Sequence, residues 1–178
     1  VFDDLSIDLA GSGYTLTASS SGLASAISNS FNVVEASGVS GSISSNTTWT
    51  ASNSPYQVTG NIIVVSGVTL TIEPGVTVKF DSGKVMEVEG DLIARGTSGN
   101  QITFTSSASS PAAGDWGYIK FKDSSTDASF DGNGDYSSGS ILEYCVVEYG
   151  GGLGDSYEVG SIYSDSSSPY INNCTIRF

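Results

Sequence analysis

Histidine is absent from this sequence of 178 residues, and lysine and arginine together number only 6. Without histidine, no His-based catalytic triad or dyad can form. The two cysteines, Cys145 and Cys174, give neither a disulfide framework nor a zinc pattern. The 19 acidic residues bring the net charge to −13, which repels nucleic acid and anionic membranes. We therefore expect no nucleic-acid partner, and the lack of a long apolar run predicts no membrane insertion.

Short runs in which apolar and polar residues alternate dominate positions 61–96. A period of two predicts strands with one buried face. Gly67, Pro74-Gly75 and Gly90 interrupt the runs, so each strand should be brief and bend into the next. The residues predicted to point into the core, here and in later runs, are Leu70, Ile72, Val78, Phe80, Met86, Val88, Ile102, Phe104, Ile119 and Phe121.

The lack of hairpin signals between these strands favours a coil over a sandwich. Leu70, Val78 and Met86 follow one another at intervals of eight. Even spacing of this kind fits either a sandwich or a solenoid that turns a corner at each break. The stretch contains neither Asn-Gly nor Asp-Gly, which are the strongest hairpin signals. Stacked coils would give these side chains a narrow, continuous core.

Five segments carry a resemblance: SPYQVTGNIIVVSGVTLTIEPGVTVKF, QITFTSS, GDWGYIKF, ILEYCVVEYGG and SSPYINNCTI. They are similar to the right-handed parallel β-helix repeats of large bacterial and archaeal surface and secreted proteins. The resemblance runs from about Ser42 to the last residue and is most specific in GVTLTIEPGVTVKF. It implies an all-β fold, with the β-helix over residues 49–178, and an extracellular or cell-surface location. It implies no activity, because this architecture hosts lyases, hydrolases, adhesins and inert stalks.

Residues 1–36 are predicted to form three strands, at 2–8, 14–19 and 30–34. The run FDDLSIDLAGSGYTLTASSSGLASAISNSFNVV resembles the last strands of bacterial immunoglobulin-like repeats, without the strands that normally precede them. Two interpretations remain open: an incomplete Ig-like segment that another chain or segment completes, or a cap over the first coil. Residues 37–48 are predicted to form a Gly/Ser linker.

The two cysteines fall at equivalent places in the predicted coils. LEYCVV (142–147) and INNCTI (171–176) align without a gap, so Cys145 and Cys174 should occupy one position in successive coils. Stacked free thiols are the favoured state, since free cysteine behaves as a small buried hydrophobe. A disulfide is the alternative, because stacked strands lie at a separation it could span, although parallel side-chain vectors suit it badly.

The run DGNGDYSS (131–138) is the sharpest signal for a ligand. Asp131, Asn133 and Asp135 match the first half of a calcium-binding loop, and Ser137 is a possible further ligand. Tyr136 stands where such loops have a glycine, and no glutamate follows at the twelfth position. The sequence therefore offers calcium as a cofactor, with a polar Gly-rich loop tip as the alternative.

Signals for catalysis are weaker. Glu87 and Glu89 are predicted on one outward face, with Asp91 nearby, and a carboxylate pair could serve a glycosidase. The six basic residues are not gathered with acids into a recognisable motif. Outward glutamates on a strand more often protect sheet edges and aid solubility, so no catalytic residues are assigned.

The remaining signals are three aromatic residues and two glycosylation sequons. Trp49 and Tyr56 are expected to plug the end of the solenoid. Trp116 could stack on a sugar, but the family-like motif around it favours packing at a corner of the coil. Asn46 is the expected glycosylation acceptor, whereas Asn173, also in a sequon, is expected near a core-facing bend where it would be a poor one.

These observations predict a non-catalytic extracellular module used as a surface stalk, adhesin segment or filament subunit. The expected partners are copies of the same chain or flanking domains of a longer chain, joined head to tail, because an open solenoid end is an unpaired sheet edge. The alternative is a polysaccharide-binding or polysaccharide-degrading β-helix module. An enzyme would need convergent acids in a groove, whereas a scaffold needs regular faces and complementary ends.

Overall fold

The computed structural model describes residues 10–33, 37–152 and 160–177. The chain divides into two compact units, residues 1–36 and 37–178. The predicted strand at 2–8 lies outside the described residues. No helix in the described part of the chain is both long enough and apolar enough to cross a membrane.

The described part of the first unit consists of four short strands in two antiparallel pairs. β1 (Gly11–Tyr14) pairs with β4 (Phe31–Val33), and β2 (Thr17–Ala18) pairs with β3 (Ala26–Ile27). The continuous strand predicted over 14–19 is therefore wrong, because the chain leaves β1 before it enters β2. β3 lies between the predicted strands 14–19 and 30–34, where the sequence analysis predicted no strand. Its Ile27 is 68% exposed, so burial periodicity gave no signal for this strand.

The second unit is built from parallel strands stacked in coils. A nine-stranded sheet has two arms that share the same pair of strands, and a separate five-stranded sheet lies beside them. The shared pair is β5 (Ser37–Ile43) and β7 (Tyr56–Val64). Each arm is named after the strand that pairs with β7 on that side: the β10 arm begins with β10 (Met86–Val88), and the β9 arm begins with β9 (Thr77–Phe80). Each coil passes through the β9 arm, then the β10 arm, then the five-stranded sheet, so three parallel walls enclose the core.

Strand bounds follow this repeat. The β10 arm continues with β10 (Met86–Val88), β13 (Ile119–Phe121) and β18 (Ile162–Ser164). The β9 arm continues with β9 (Thr77–Phe80), β12 (Ile102–Ser106), β17 (Cys145–Glu148) and β20 (Thr175–Arg177). The five-stranded sheet comprises β6 (Thr47–Trp49), β8 (Thr69–Ile72), β11 (Asp91–Arg95), β16 (Ile141–Glu143) and β19 (Tyr170–Asn172). The remaining pair, β14 (Ser129–Phe130) and β15 (Tyr136–Ser138), is antiparallel.

The predicted core is confirmed. All ten residues expected to face inward are at most 1% exposed. Register explains the stacking, because Val58 lies opposite Phe80 and Val78 opposite Phe104, so inward positions of one coil rest on those of the next. The chain is an all-β parallel β-helix, as the resemblance implied and as the lack of hairpin signals favoured.

The linker predicted at 37–48 is instead the first coil. Residues 37–43 form β5, which pairs in parallel with β7, and β6 begins at Thr47. The Gly/Ser composition misled the sequence analysis, because small residues are accepted where β5 lies against β7. Gly60 shows this closeness, since a Cβ added there would lie 2.9 Å from the Ser40 Cβ.

The corners of the coils fall at the predicted breaks. Gly75 adopts φ of +84° in the turn between β8 and β9, a conformation that side chains disfavour. At Gly90, between β10 and β11, an added Cβ would collide with the carbonyl oxygens of Val65 and Val68 in the preceding coil. Glycine at these points lets the chain turn tightly while the coils remain stacked.

Candidate functional site: the insertion hairpin and the outer walls

The largest departure from the regular coil is a hairpin, which we call the insertion hairpin, formed by β14, β15 and the turn between them. It projects from the connection between β13 and β16. The sequence analysis interpreted residues 131–138 as a calcium-binding loop or a polar loop tip, not as part of a hairpin. The signal that could have identified the hairpin is the pair Asp131-Gly132 and Asn133-Gly134, because these dipeptides favour tight turns between antiparallel strands.

Aromatic side chains hold the insertion hairpin against the outside of the five-stranded sheet. The Phe130 ring meets Tyr170 edge to face at 5.1 Å, and Tyr136 stacks on Tyr170 at 6.2 Å. The Arg95 guanidinium lies 5.3 Å from the centre of the Tyr136 ring. Leu142 takes the inward position on β16, so its neighbour Ile141 faces outward. Ile141 is nevertheless fully buried. The hairpin thus creates a second, outer apolar cluster.

The outer cluster has both an exposed edge and a charged border. Phe130 is 47% exposed. Arg95 Nε donates to Glu143 Oε2 at 2.9 Å, and Asn172 Nδ2 donates to Glu143 Oε1 at 3.1 Å. Burial raises the pKa of Tyr136, with Arg95 opposing that shift. A flat aromatic surface beside a carboxylate and a guanidinium can accept a ligand that has both an apolar face and polar groups.

The four residues predicted to bind calcium lie in and beside the turn of the insertion hairpin. Asp131 Oδ1 accepts the backbone N–H groups of Asn133 at 2.8 Å and of Asp135 at 2.9 Å, and these bonds lower the pKa of Asp131. Ser137 Oγ is 2.9 Å from Ser129 Oγ on the facing strand. One carboxylate oxygen therefore holds the turn together. Calcium binding here stays a prediction.

A larger metal centre is not assembled in the described residues. Among residues 10–33, 37–152 and 160–177, no group of three or more acidic or cysteine side chains is placed to hold an ion. Glu87 lies on the outside of the β10 arm, where Lys122 Nζ approaches its Oε2 at 3.8 Å. Asp91 Oδ1 is buried without a hydrogen-bond partner among the described residues. Glu87 therefore lies on the β10 arm and Asp91 on the five-stranded sheet, so these two carboxylates considered for catalysis belong to different walls.

Basic residues pair with acids from neighbouring coils. Arg177 Nη2 lies 2.8 Å from Glu148 Oε2, and Lys120 Nζ lies 3.6 Å from Asp165 Oδ2. The Arg95–Glu143 pair joins positions that lie opposite each other on β11 and β16. The sequence analysis missed these pairs, because the partners lie one coil apart, 29 residues for Arg177–Glu148 and 48 residues for Arg95–Glu143.

The aromatic residues considered as ligand platforms are largely interior. Trp116 is fully buried, stacks on Phe80 at 4.2 Å and donates its Nε1–H to the Glu148 carbonyl, so its predicted packing role is confirmed. Trp49 and Tyr56 stack at 4.8 Å and are both buried. Beside them the first coil encloses a depression of about 430 Å³, lined mainly by serines and by Val39, Ile43, Trp49 and Ile62.

The two sequon asparagines are both exposed. Asn46 Oδ1 accepts the Thr69 N–H at 2.9 Å, which holds the side chain at the first corner. Asn173 occupies a corner with φ of 51°. The expectation that a core-facing position would disfavour Asn173 was therefore wrong, because the corner turns its side chain outward. Glycosylation of Asn46 stays a prediction.

Cys145 and Cys174 occupy one position in successive coils, as predicted. Val146 lies opposite Thr175, which sets the two cysteines side by side, and both thiols are free. Cys145 Sγ–H donates to the Ala94 carbonyl at 3.4 Å, and Cys174 Sγ–H to the Leu142 carbonyl at 3.3 Å. Cys145 is fully buried and Cys174 is half-buried.

Comparison with known proteins agrees with this architecture. The sequence model of a family described as a pectate-lyase-like β-helix domain matches residues 41–164. The chain belongs to this pectate-lyase-like β-helix family. It is also similar to the protein bark beetle of Drosophila melanogaster, with 36% identity over 95 residues. These 95 residues make up 53% of this chain. The chain spans only 3% of the length of that relative. No solved structure matches the chain.

Proposed function

We propose that this chain is a non-catalytic structural module of an extracellular or cell-surface protein, used as part of a stalk, an adhesin or a filament and assembling through its ends. The observation that carries the proposal is the pairing of outward charges along the stack. Arg95 with Glu143, Arg177 with Glu148 and Lys122 with Glu87 each join neighbouring coils. Carboxylates that form such pairs stabilise a regular wall, whereas an enzyme needs acids that converge on a reacting atom.

Assembly through the ends is supported by two exposed side chains in core positions. Ile171 lies opposite inward-facing Leu142, and Ile176 lies opposite inward-facing Val147. They are nevertheless 42% and 51% exposed. One further coil, supplied by a second copy or by flanking chain, would cover both. Strand addition would also give many main-chain hydrogen bonds at once.

Mass measured by light scattering over a concentration series tests the assembly. The wild-type chain should grow in mass as its concentration rises, and Ile176→Asp should stay monomeric because a carboxylate cannot be buried without a partner. Thr175→Asp is the matched control, since Thr175 lies on the same strand and faces outward. A wild-type chain that remains a monomer at high concentration, or equal loss of assembly in both variants, would contradict assembly through this end.

Polysaccharide binding is the second candidate function, and the outer aromatic cluster favours it. Phe130 is 47% exposed and packs on Tyr170, which stacks on Tyr136, so an exposed aromatic ring is available for the apolar face of a sugar. Retardation of the chain in gels containing soluble polysaccharides tests this function. Binding that Phe130→Ala weakens and Thr175→Ala does not would support it. Release of shortened sugars during the same incubation would overturn the non-catalytic proposal.

A further inference from the structure

The proposed scaffold function gives no role to Cys145 and Cys174, which lie side by side in successive coils. Adjacent strands of a sheet lie about 4.8 Å apart, within the Cα separation that a disulfide spans. Tyr144 and Asn173, which precede the cysteines, have φ of 48° and 51°. Both cysteines therefore follow a corner of the same backbone conformation, and the register of β17 with β20 places them at one position in successive coils.

The two thiols differ in access and in acidity. Cys145 is fully buried, whereas Cys174 is only partly so. Interaction with the Cys145 thiol lowers the pKa of Cys174 to about 7, and interaction with Cys174 together with burial raises the pKa of Cys145. The lowered pKa favours the thiolate form of Cys174 near neutral pH. An attacking thiol is most effective when its pKa is near the ambient pH.

We propose that Cys174 and Cys145 form a thiol modification site for low-molecular-weight disulfides, with Cys174 as the attacking thiol and Cys145 as the resolving thiol. In the first step the Cys174 thiolate attacks one sulfur of the small disulfide, forms a mixed disulfide and expels one small thiolate. In the second step Cys145 loses its proton to that thiolate and attacks Cys174 Sγ. A Cys145–Cys174 disulfide forms and a second small thiolate leaves. The protein dithiol is oxidised and the small disulfide is reduced to two thiols.

The product would tie the strand that follows Cys174 to the preceding coil. Cross-linking closes a loop of about 30 residues, which restricts the unfolded chain and stabilises the last described coil. The site is independent of the proposed scaffold function, because it requires only the register of β17 and β20. Oxidation should therefore raise the melting temperature of the chain, and a reductant should reverse that rise.

Intact-mass measurement after incubation of the whole chain with oxidised glutathione tests the site. The wild-type chain should lose two hydrogens and carry no glutathione. Cys145→Ser should instead keep one glutathione, because nothing resolves the mixed disulfide. Cys174→Ser should react at least about tenfold more slowly, since its remaining thiol is buried. The rate at which the wild-type chain is oxidised should reach half its maximum near the Cys174 pKa of about 7, and that midpoint should move to higher pH in Cys145→Ser, which lacks the interaction that lowers the pKa.

Three results would overturn the proposal. They are a wild-type chain that stops at the mixed disulfide, a wild-type chain that gains no modification at all, and a Cys174→Ser variant that reacts as fast as the wild type. Cys145→Ala and Cys174→Ala repeat the test with apolar side chains, in case a hydroxyl in the core prevents folding. Circular dichroism of each variant, and full reaction of both thiols in denaturant, establish that burial sets the rates.

Discussion

Truncation of Phe80 tests the stacked core most directly. Phe80 is fully buried on β9, opposite Val58, and its ring stacks on Trp116 at 4.2 Å. Phe80→Ala would leave a cavity that rigid strands on either side cannot fill. Phenylalanine-to-alanine changes in such cores cost about 3–5 kcal/mol of the free energy of unfolding. Loss of the aromatic pair adds about 0.5–1.5 kcal/mol.

Phe104→Ala and Lys79→Ala make the comparison quantitative. Phe104 is equally buried but lies opposite the aliphatic residues Val78 and Val147, so its truncation should cost about 1 kcal/mol less than that of Phe80. Lys79 precedes Phe80 on the same strand and points to the other face, so Lys79→Ala should change stability by about 0.5 kcal/mol or less.

Equilibrium unfolding in urea, extrapolated to water, measures all three variants. The expected order of destabilisation is Phe80→Ala, then Phe104→Ala, then Lys79→Ala. A Phe80→Ala chain no less stable than Lys79→Ala would refute the stacked core. Equal costs for the two phenylalanine variants would show that the Trp116 ring adds nothing beyond the buried area.

Three further outcomes are expected. If the hairpin turn binds calcium, a chelator should lower the melting temperature and Asp135→Ala should remove that response. Asp135 is chosen because Asp131 Oδ1 itself holds the turn, and an unchanged melting curve with chelator would dismiss the site. Gly139→Ala should destabilise the chain by about 1–3 kcal/mol in urea, because φ is +90° and a Cβ would strike the Asp127 carbonyl; a neutral result would contradict this contact. The Ala112 N–H and the Ser106 hydroxyl lower the pKa of Asp115 below 3.8. The ionised Asp115 carboxylate therefore stabilises the folded chain above pH 3.8, and this stabilisation is lost as the pH falls through the lowered pKa. Melting temperatures between about pH 5 and about pH 2 should fall less steeply in Asp115→Asn, and equal slopes would argue against those bonds.

Local pattern determined much of the fold. Alternation at period two fixes which side chains of a strand face the core, and the breaks at Gly75 and Gly90 fix where the chain turns, so the core could be read directly from the sequence. The gapless alignment of residues 142–147 with 171–176 likewise placed Cys145 beside Cys174, because equal spacing within a coil means equal register between coils.

Composition was a poor guide where packing decided the outcome. Residues 37–43 are rich in glycine and serine and were assigned to a linker, but β7 offers them a pairing partner and they form a strand. Residues 131–134 also carry turn signals that the sequence analysis did not use, and Asp131 forms hydrogen bonds that close the turn of the insertion hairpin.

The outer surface was decided only by tertiary structure. Arg95 meets Glu143, and Tyr136 meets Tyr170, after the chain has completed another coil or folded the insertion hairpin back on the wall. Period-two patterning distinguishes inward from outward positions but carries no information on which outward residues become neighbours. The sequence by itself therefore determined the walls and the core of the β-helix. Stacking register and the position of the insertion hairpin determined the charge pairs, the outer aromatic cluster and the different environments of the two thiols.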